Sequence, residues 1–196
     1  MQRTATSNPG LIERYLPRYT FRHRYTTVVQ CGDIGRVYAI ARDVDLSRSR
    51  VIPLLFRLRG LPHAHWRARA FCSAMHWTEL AQTPPTEFLI AYWRGGPGNR
   101  IRRIDNARQF CGVPPGATQK VGFTFRFRQL DARQVEVDTE TRVLCIGARS
   151  RLVFLCYWMI IKPFSGLVRK EILRIIRREA ESGTESGPAP GPGATA

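Results

Sequence analysis

The residues able to do chemistry are few in this 196-residue chain. Its four histidines are His23, His63, His65 and His76. His63 and His65 flank a single residue in an expected loop, a weak metal pair in principle, but no nearby Asp, Glu or Cys completes a ligand set, so no metal site is expected. The five cysteines, Cys31, Cys72, Cys111, Cys145 and Cys156, contain no C-x-x-C pair and so form no zinc pattern. An odd number of widely spaced cysteines, with no apolar leader ahead of them, reads as reduced thiols in a cytosolic chain. There is no P-loop, no G-x-S-x-G, no H-E-x-x-H and no G-x-G-x-x-G after a strand, and no cofactor is indicated. Proton transfer would need an inward ionisable group, and the candidates are His23, Tyr25 and Tyr92. A histidine sharing a strand face with Phe21 and Tyr25 suits proton transfer near neutral pH, although a hydrogen-bonded structural histidine is the commoner outcome.

The elements that position these groups can be read from periodicity. In Thr20 to Gln30, Phe21, His23, Tyr25, Thr27 and Val29 share one face at period two, which predicts a first strand. Asp33 is placed to cap a helix in which Ile34, Val37, Tyr38 and Ala41 recur at helical spacing. A second helical piece spans Ser47 to Leu58 and stops at Gly60 with Pro62 beyond. Between His63 and Trp77 the pattern is ambiguous, with a loose helix in its first part. Strands are then expected at Trp77 to Gln82, Thr86 to Arg94 and Arg100 to Asp105, separated by Pro- and Gly-rich turns.

The clearest strand is Val121 to Leu130, where Val121, Phe123, Phe125 and Phe127 alternate with Gly122, Thr124, Arg126 and Arg128, giving one apolar and one wet face. Its partner, Gln134 to Leu144, puts Val135, Val137, Thr139, Thr141 and Val143 on one side. Glu136, Asp138, Glu140 and Arg142 fall on the other, so Glu140 is read as a partner for Arg142 or for an arginine on a neighbouring strand. Thr139 and Thr141 are two hydroxyls on an otherwise apolar face. A buried hydroxyl without a partner is costly, so each implies a hydrogen bond, a water or a ligand. Ala148 to about Glu181 is one long helical pattern, expected to kink or break at Pro163.

Lys and Arg number 31 against 15 Asp and Glu, a formal net charge of +16. Only Lys120, Lys162 and Lys170 are lysine, and arginine is spread along almost every segment. That spread reads as solvated surface arginine, with an anionic membrane or nucleic acid as the other reading. Specific nucleic-acid binding is not expected, because no recognition module places the arginines. Leu152 to Ile161 is the longest apolar run, short of the ~20 residues that cross a bilayer, and it predicts no transmembrane helix. Beyond it lie Arg169, Lys170, Arg174, Arg177 and Arg178, with Tyr157 and Trp158 of the interfacial type, a combination suited to docking on an anionic membrane. The competing reading is an amphipathic helix covering its own sheet, with cations favourable near its C-terminus.

The order of strand, two helices, antiparallel strands and a long C-terminal helix is the layout of the α+β helix-grip fold, a curved antiparallel sheet wrapped around that helix. Three segments resemble a group of uncharacterised bacterial START-like proteins of the polyketide cyclase and lipid-transport (SRPBCC) superfamily. They are YWMIIKPFSGLVRKEILRIIRREAE from Tyr157 to Glu181, RDVDLSRSRVIPLLFRLRGLP from Arg42 to Pro62, and DTETRV from Asp138 to Val143. The resemblance supplies no catalytic residue. It implies a cavity between sheet and C-terminal helix that binds a hydrophobic small molecule or lipid, or a cyclase/aromatase cavity acting on a polyketide-like substrate. Phe123, Phe125 and Phe127, with Tyr157 and Met159 from the helix and Thr139 and Thr141 as the polar groups, are the expected lining; a filled core is the alternative for each. The chain is thus expected to comprise an N-terminal extension over 1–17, the helix-grip domain over 18–181 and a disordered Gly/Pro-rich tail over 182–196. It is expected to be cytoplasmic, or peripheral at the inner membrane face.

Overall fold

A computed structural model describes residues 9–60 and 65–182. His63, the start of the N-terminal extension and all of the expected tail after Ser182 lie outside the described residues. In chain order the elements are α1 (Leu11–Tyr15), β1 (Phe21–Val29), α2 (Ile34–Arg42), α3 (Val51–Leu58), α4 (Ala68–Ala74), β2 (Thr78–Thr83) and β3 (Glu87–Gly95). They continue with β4 (Arg100–Arg102), α5 (Ala107–Cys111), β5 (Ala117–Asp131), β6 (Gln134–Cys145) and α6 (Ala148–Ser182). The strands form one open antiparallel sheet in the order β1-β6-β5-β3-β2, with β4 added to β3. With α6 laid across one face, this is the α+β helix-grip architecture.

Local chemistry accounts for the element boundaries. The Asp33 carboxylate accepts the backbone N–H of Arg36 at 3.0 Å and opens α2. The helix expected over Ser47 to Leu58 is divided into a 3₁₀ turn, Leu46–Arg48, and α3. The Ser49 hydroxyl between them accepts the N–H groups of Val51 and Ile52 and itself donates to Glu171 of α6 at 2.8 Å. α5, capped by Asn106, was not expected; its pattern is only five residues long. The helix expected to kink or break at Pro163 is assigned as one continuous α6. The proline removes a donor to the Met159 carbonyl, and Met159 lies on a bare turn where water can take that role.

The register places β5 and β6 as the alternation requires. Phe123 pairs with Thr141, Phe125 with Thr139 and Phe127 with Val137. On the other side of β6, Thr141 pairs with His23 and Thr139 with Tyr25. This face carries the main core, in which Val29, Val135, Val137 and Phe127 meet Val37 and Tyr38 of α2 and Leu173 and Ile176 of α6.

The opposite face, expected to be wet, is covered. Leu11, Ile12 and Leu16 of the N-terminal segment are buried there against Leu89, so much of the extension packs on the sheet. Arg142, Glu140, Asp138 and Thr124 are buried there as well. Arg142 donates to Glu140 at 2.6 Å, to Glu13 at 2.8 Å and to the Leu16 carbonyl at 3.1 Å. Glu140 also receives Arg22 at 2.8 Å, and Asp138 pairs with Arg24. Burial acts to raise the Glu13 pKa, but its backbone hydrogen bond and the cations of Arg126 and Arg142 outweigh it and hold the carboxyl below its ordinary range. Arg142, Glu140 and Asp138 are thus paired, which satisfies the requirement that water would otherwise meet.

α6 approaches β1 most closely at Gly166. A Cβ there would run into the Tyr25 hydroxyl oxygen and lie 3.4 Å from its Cζ. Gly166→Ala is therefore expected to destabilise the protein by about 1–2 kcal/mol, overpacking outweighing the gain in helix propensity. In a Tyr25→Phe background the same change should cost less, because the obstructing oxygen is gone. Urea unfolding of the four-member cycle measures this, and an equal cost in both backgrounds would show that α6 does not seat on Tyr25.

Candidate functional site

α6 packs directly on β1 and β6. Over the β2-β3-β5 half of the sheet the helix no longer covers the strands, and α3 and α4 form the opposing wall. The space left is a cavity of about 830 Å³. Its walls include Phe88, Phe123 and Phe125 from the sheet, Phe56 and Phe71 from α3 and α4, Trp77 ahead of β2, and Ile161, Phe164, Val168, Arg169 and Ile172 from α6. Aromatic contacts stiffen the wall. Phe56 stacks on Phe71 at 4.9 Å, Phe88 on Phe125 at 5.2 Å, and Trp77 meets Phe123 edge-on at 5.1 Å.

The residues expected to line the cavity are divided by this geometry. Phe123 and Phe125 line it. Phe127 does not; it is buried beside Tyr38 and Phe88 in the core. Tyr157 and Met159 are corrected outright, since both are exposed and neither lines the cavity. Tyr157 stands nine residues before Gly166 and so on the opposite side of α6, facing outward when Gly166 faces Tyr25. Thr139 and Thr141 lie beneath α6 and outside the cavity wall. Thr139 Oγ1 accepts a hydrogen bond from Arg169 Nη1 at 2.6 Å, whereas buried Thr141 Oγ1 has no partner among the described residues.

His23 and Tyr25 are also in this seam and do not border the cavity. They are hydrogen-bonded to each other, His23 Nε2 to the Tyr25 hydroxyl at 3.1 Å, and Trp158 packs edge-on against the imidazole. Burial, followed by the charges of Lys162 and Arg169, lowers the His23 pKa, so the ring is neutral at neutral pH. Tyr92, the third candidate, stacks on Trp77 with its hydroxyl pKa raised by burial. Neither His65 nor any other group among the described residues assembles three His, Cys, Asp or Glu side chains around a point.

Of the five basic residues assigned to a membrane or anion surface, Lys170, Arg174, Arg177 and Arg178 are exposed. Arg169 is corrected: it points inward and lines the cavity. The guanidinium lies 5.0 Å from the Phe123 ring centroid and bonds Thr139, and no carboxylate pairs with it among the described residues. Desolvation lowers its pKa to about 10. The cavity's carboxylate, Glu79, is taken up by Arg42 through both oxygens, at 2.7 and 2.8 Å. The Cys72 thiol on the wall is pushed up to about 12 by burial and is no nucleophile. The inward turn of Arg169 had a sequence signal, because it stands three residues before Ile172 and seven before Ile176 on the apolar stripe of α6. Trp77, Phe56 and Phe71 had none, since the facing of α3 and α4 is a tertiary matter.

No family model matches the chain, and no curated protein matches it. Among solved structures, a hypothetical protein from Helicobacter pylori aligns at 10% identity over 92% of this chain and 98% of its own, with a TM-score of 0.43. The Zhui aromatase/cyclase from Streptomyces sp. R1128 aligns at 12% identity over 85% and 96%, with a TM-score of 0.37. A conserved protein from Geobacillus kaustophilus aligns at 9% identity over 83% and 97%, with a TM-score of 0.35.

A desolvated arginine without a counter-ion costs stability wherever it is charged. Because its pKa in the fold lies below the ordinary arginine value, the unfolded chain binds the proton more tightly, and the penalty is full below pH ~10 and relieved as pH rises above that. Arg169→Met is thus expected to raise the melting midpoint of the ligand-free protein at pH 7 by about 2–4 °C. The advantage should shrink above pH ~10. A lowered midpoint at pH 7 would show that the guanidinium is a net structural tie.

Proposed function

We propose that the protein binds a hydrophobic small molecule or lipid in the cavity between the sheet, α6 and the α3–α4 wall. The observation that carries this reading is the cavity itself, whose volume of about 830 Å³ and mainly apolar, aromatic walls fall within the range of small-molecule sites. The resemblance of three segments to START-like proteins, and the helix-grip architecture, agree with such a role, carrier or binder. The cyclase alternative gains less support, because its candidate proton-transfer groups, His23 and Tyr25, are bonded to each other away from the cavity. Native mass spectrometry of freshly purified protein should show a mass excess that solvent extraction removes and identifies as an apolar compound. An apo mass, with no thermal shift across a library of lipids and aromatic compounds, would overturn the reading.

A second reading, peripheral docking on an anionic membrane, is favoured by the outer face of α6. Among the described residues α6 is the helix long and apolar enough to cross a membrane, yet only 11% of that stretch is buried. Phe154 and Trp158 hold one side of the stretch to Phe21 of β1, so the helix lies along the domain surface. The same stretch leaves Met159 69% and Ile160 70% exposed, and Leu58 of α3 is 72% exposed. Leu58 and Phe164 also line the cavity, so the bare face is continuous with its rim. Basic Lys162 and Lys170 border it, in keeping with anionic head groups. Vesicle flotation tests this: binding should be stronger to phosphatidylcholine vesicles containing phosphatidylglycerol than to those without it, and lost in Ile160→Glu. Lys170→Glu and Arg174→Glu should each weaken it by roughly fivefold, and raised salt should do the same. No binding, or binding unmoved by salt and charge reversal, would remove this reading.

A further inference from the structure

The charges on the cavity wall are unbalanced. Five arginines, Arg42, Arg59, Arg69, Arg103 and Arg169, border it, against the single carboxylate of Glu79. Glu79 and Arg42 satisfy each other in a forked pair. Arg59, Arg69 and Arg103 are exposed side chains at the rim, where an unpaired cation is met by water at little cost. Arg169 differs from them in its surroundings. It is half-buried between α6 and the sheet, held by one hydrogen bond, to Thr139, and by the face of the Phe123 ring. Its remaining N–H donors have no protein partner among the described residues, and the side chain borders the empty volume.

Nothing in the fold requires this arginine for support. Its backbone position is set by Gly166 seating on Tyr25, and the stripe on either side of it is apolar. A guanidinium presents a planar fork of donors that matches a carboxylate or phosphate group, and a site with low dielectric strengthens such a pair. A purely apolar occupant would leave those donors buried and unmet, which costs more than leaving the cavity to water.

We propose that the ligand is an amphiphile bearing one anionic head group, a carboxylate or a phosphate monoester, and that Arg169 receives the head while the aromatic wall takes the apolar body. This rests on the cavity being a binding site. The rim arginines raise the local concentration of anions and orient their approach, and Arg169 supplies discrimination against neutral analogues of the same body.

Titration calorimetry at pH 8 with dodecanoate, dodecyl phosphate and dodecanol separates the head group from the chain. The wild-type protein should bind at least one of the two anions about tenfold or more tighter than dodecanol, and the tighter anion names the head group. Arg169→Gln should abolish that preference while still binding dodecanol, which reports an intact cavity. Arg169→Lys should keep part of it, having the charge without the fork. Equal affinity for all three probes, or a preference that persists in Arg169→Gln, would overturn the assignment and leave the cavity reading standing. Failure of all three probes to bind the wild-type protein would overturn the cavity reading itself.

Discussion

The seat of α6 on β1 is the constraint from which the site follows. At Gly166 the helix backbone comes close enough to Tyr25 that a single methyl group has no space. This contact sets the rotation of α6 about its axis. With Gly166 turned to the sheet, Arg169 one turn later is carried inward over Phe123, and Ile172, Leu173 and Ile176 continue into the core. The same rotation turns Ile160 and Leu167 away from the protein. One glycine thereby determines the polar group inside and the apolar face outside.

The two faces of the sheet carry opposite solutions to burial. Toward α6 the strands present Val, Phe and Thr, and the hydroxyl of Thr139 is matched to the incoming guanidinium. Away from α6 they present Glu140, Arg142 and Asp138, and these are satisfied by arginines of β1 and by Glu13 and the carbonyls of the N-terminal segment. Removing one partner from that network would leave a buried charge unpaired, so the segment and the outer face hold each other in place. Arg169 is the contrasting case, a half-buried cation on the cavity wall with no carboxylate beside it among the described residues. A group that destabilises the ligand-free fold in this way is one that a bound partner can compensate.

Strand and helix periodicity made most of the architecture legible. The period-two pattern of Val121 to Leu130 is β5, and its polar and apolar rows match the observed register with β6. The cap at Asp33 and the assignment of Glu140 to Arg142 and a β1 arginine follow from side-chain chemistry over short or alternating spacing. The site was legible only in part. Phe123 and Phe125 could be placed on an inward face, but alternation cannot distinguish a cavity wall from a filled core, and Phe127 on the same face is core.

What the sequence alone determined is whatever depends on neighbours a few residues apart: the α+β element order, the alternating hairpin, the long C-terminal helix and the surplus of arginine. Tertiary structure decided the rest, because rotation and separation of packed elements depend on residues far apart in the chain. It placed the cavity over β2, β3 and β5, brought α3 and α4 in as its far wall, and left Tyr157 and Met159 outside. It also took Arg169 out of an apparent basic surface cluster and turned it to the cavity wall. The physical reason lies in the close approach of Gly166 to Tyr25, residues 141 positions apart that only the packed fold brings together.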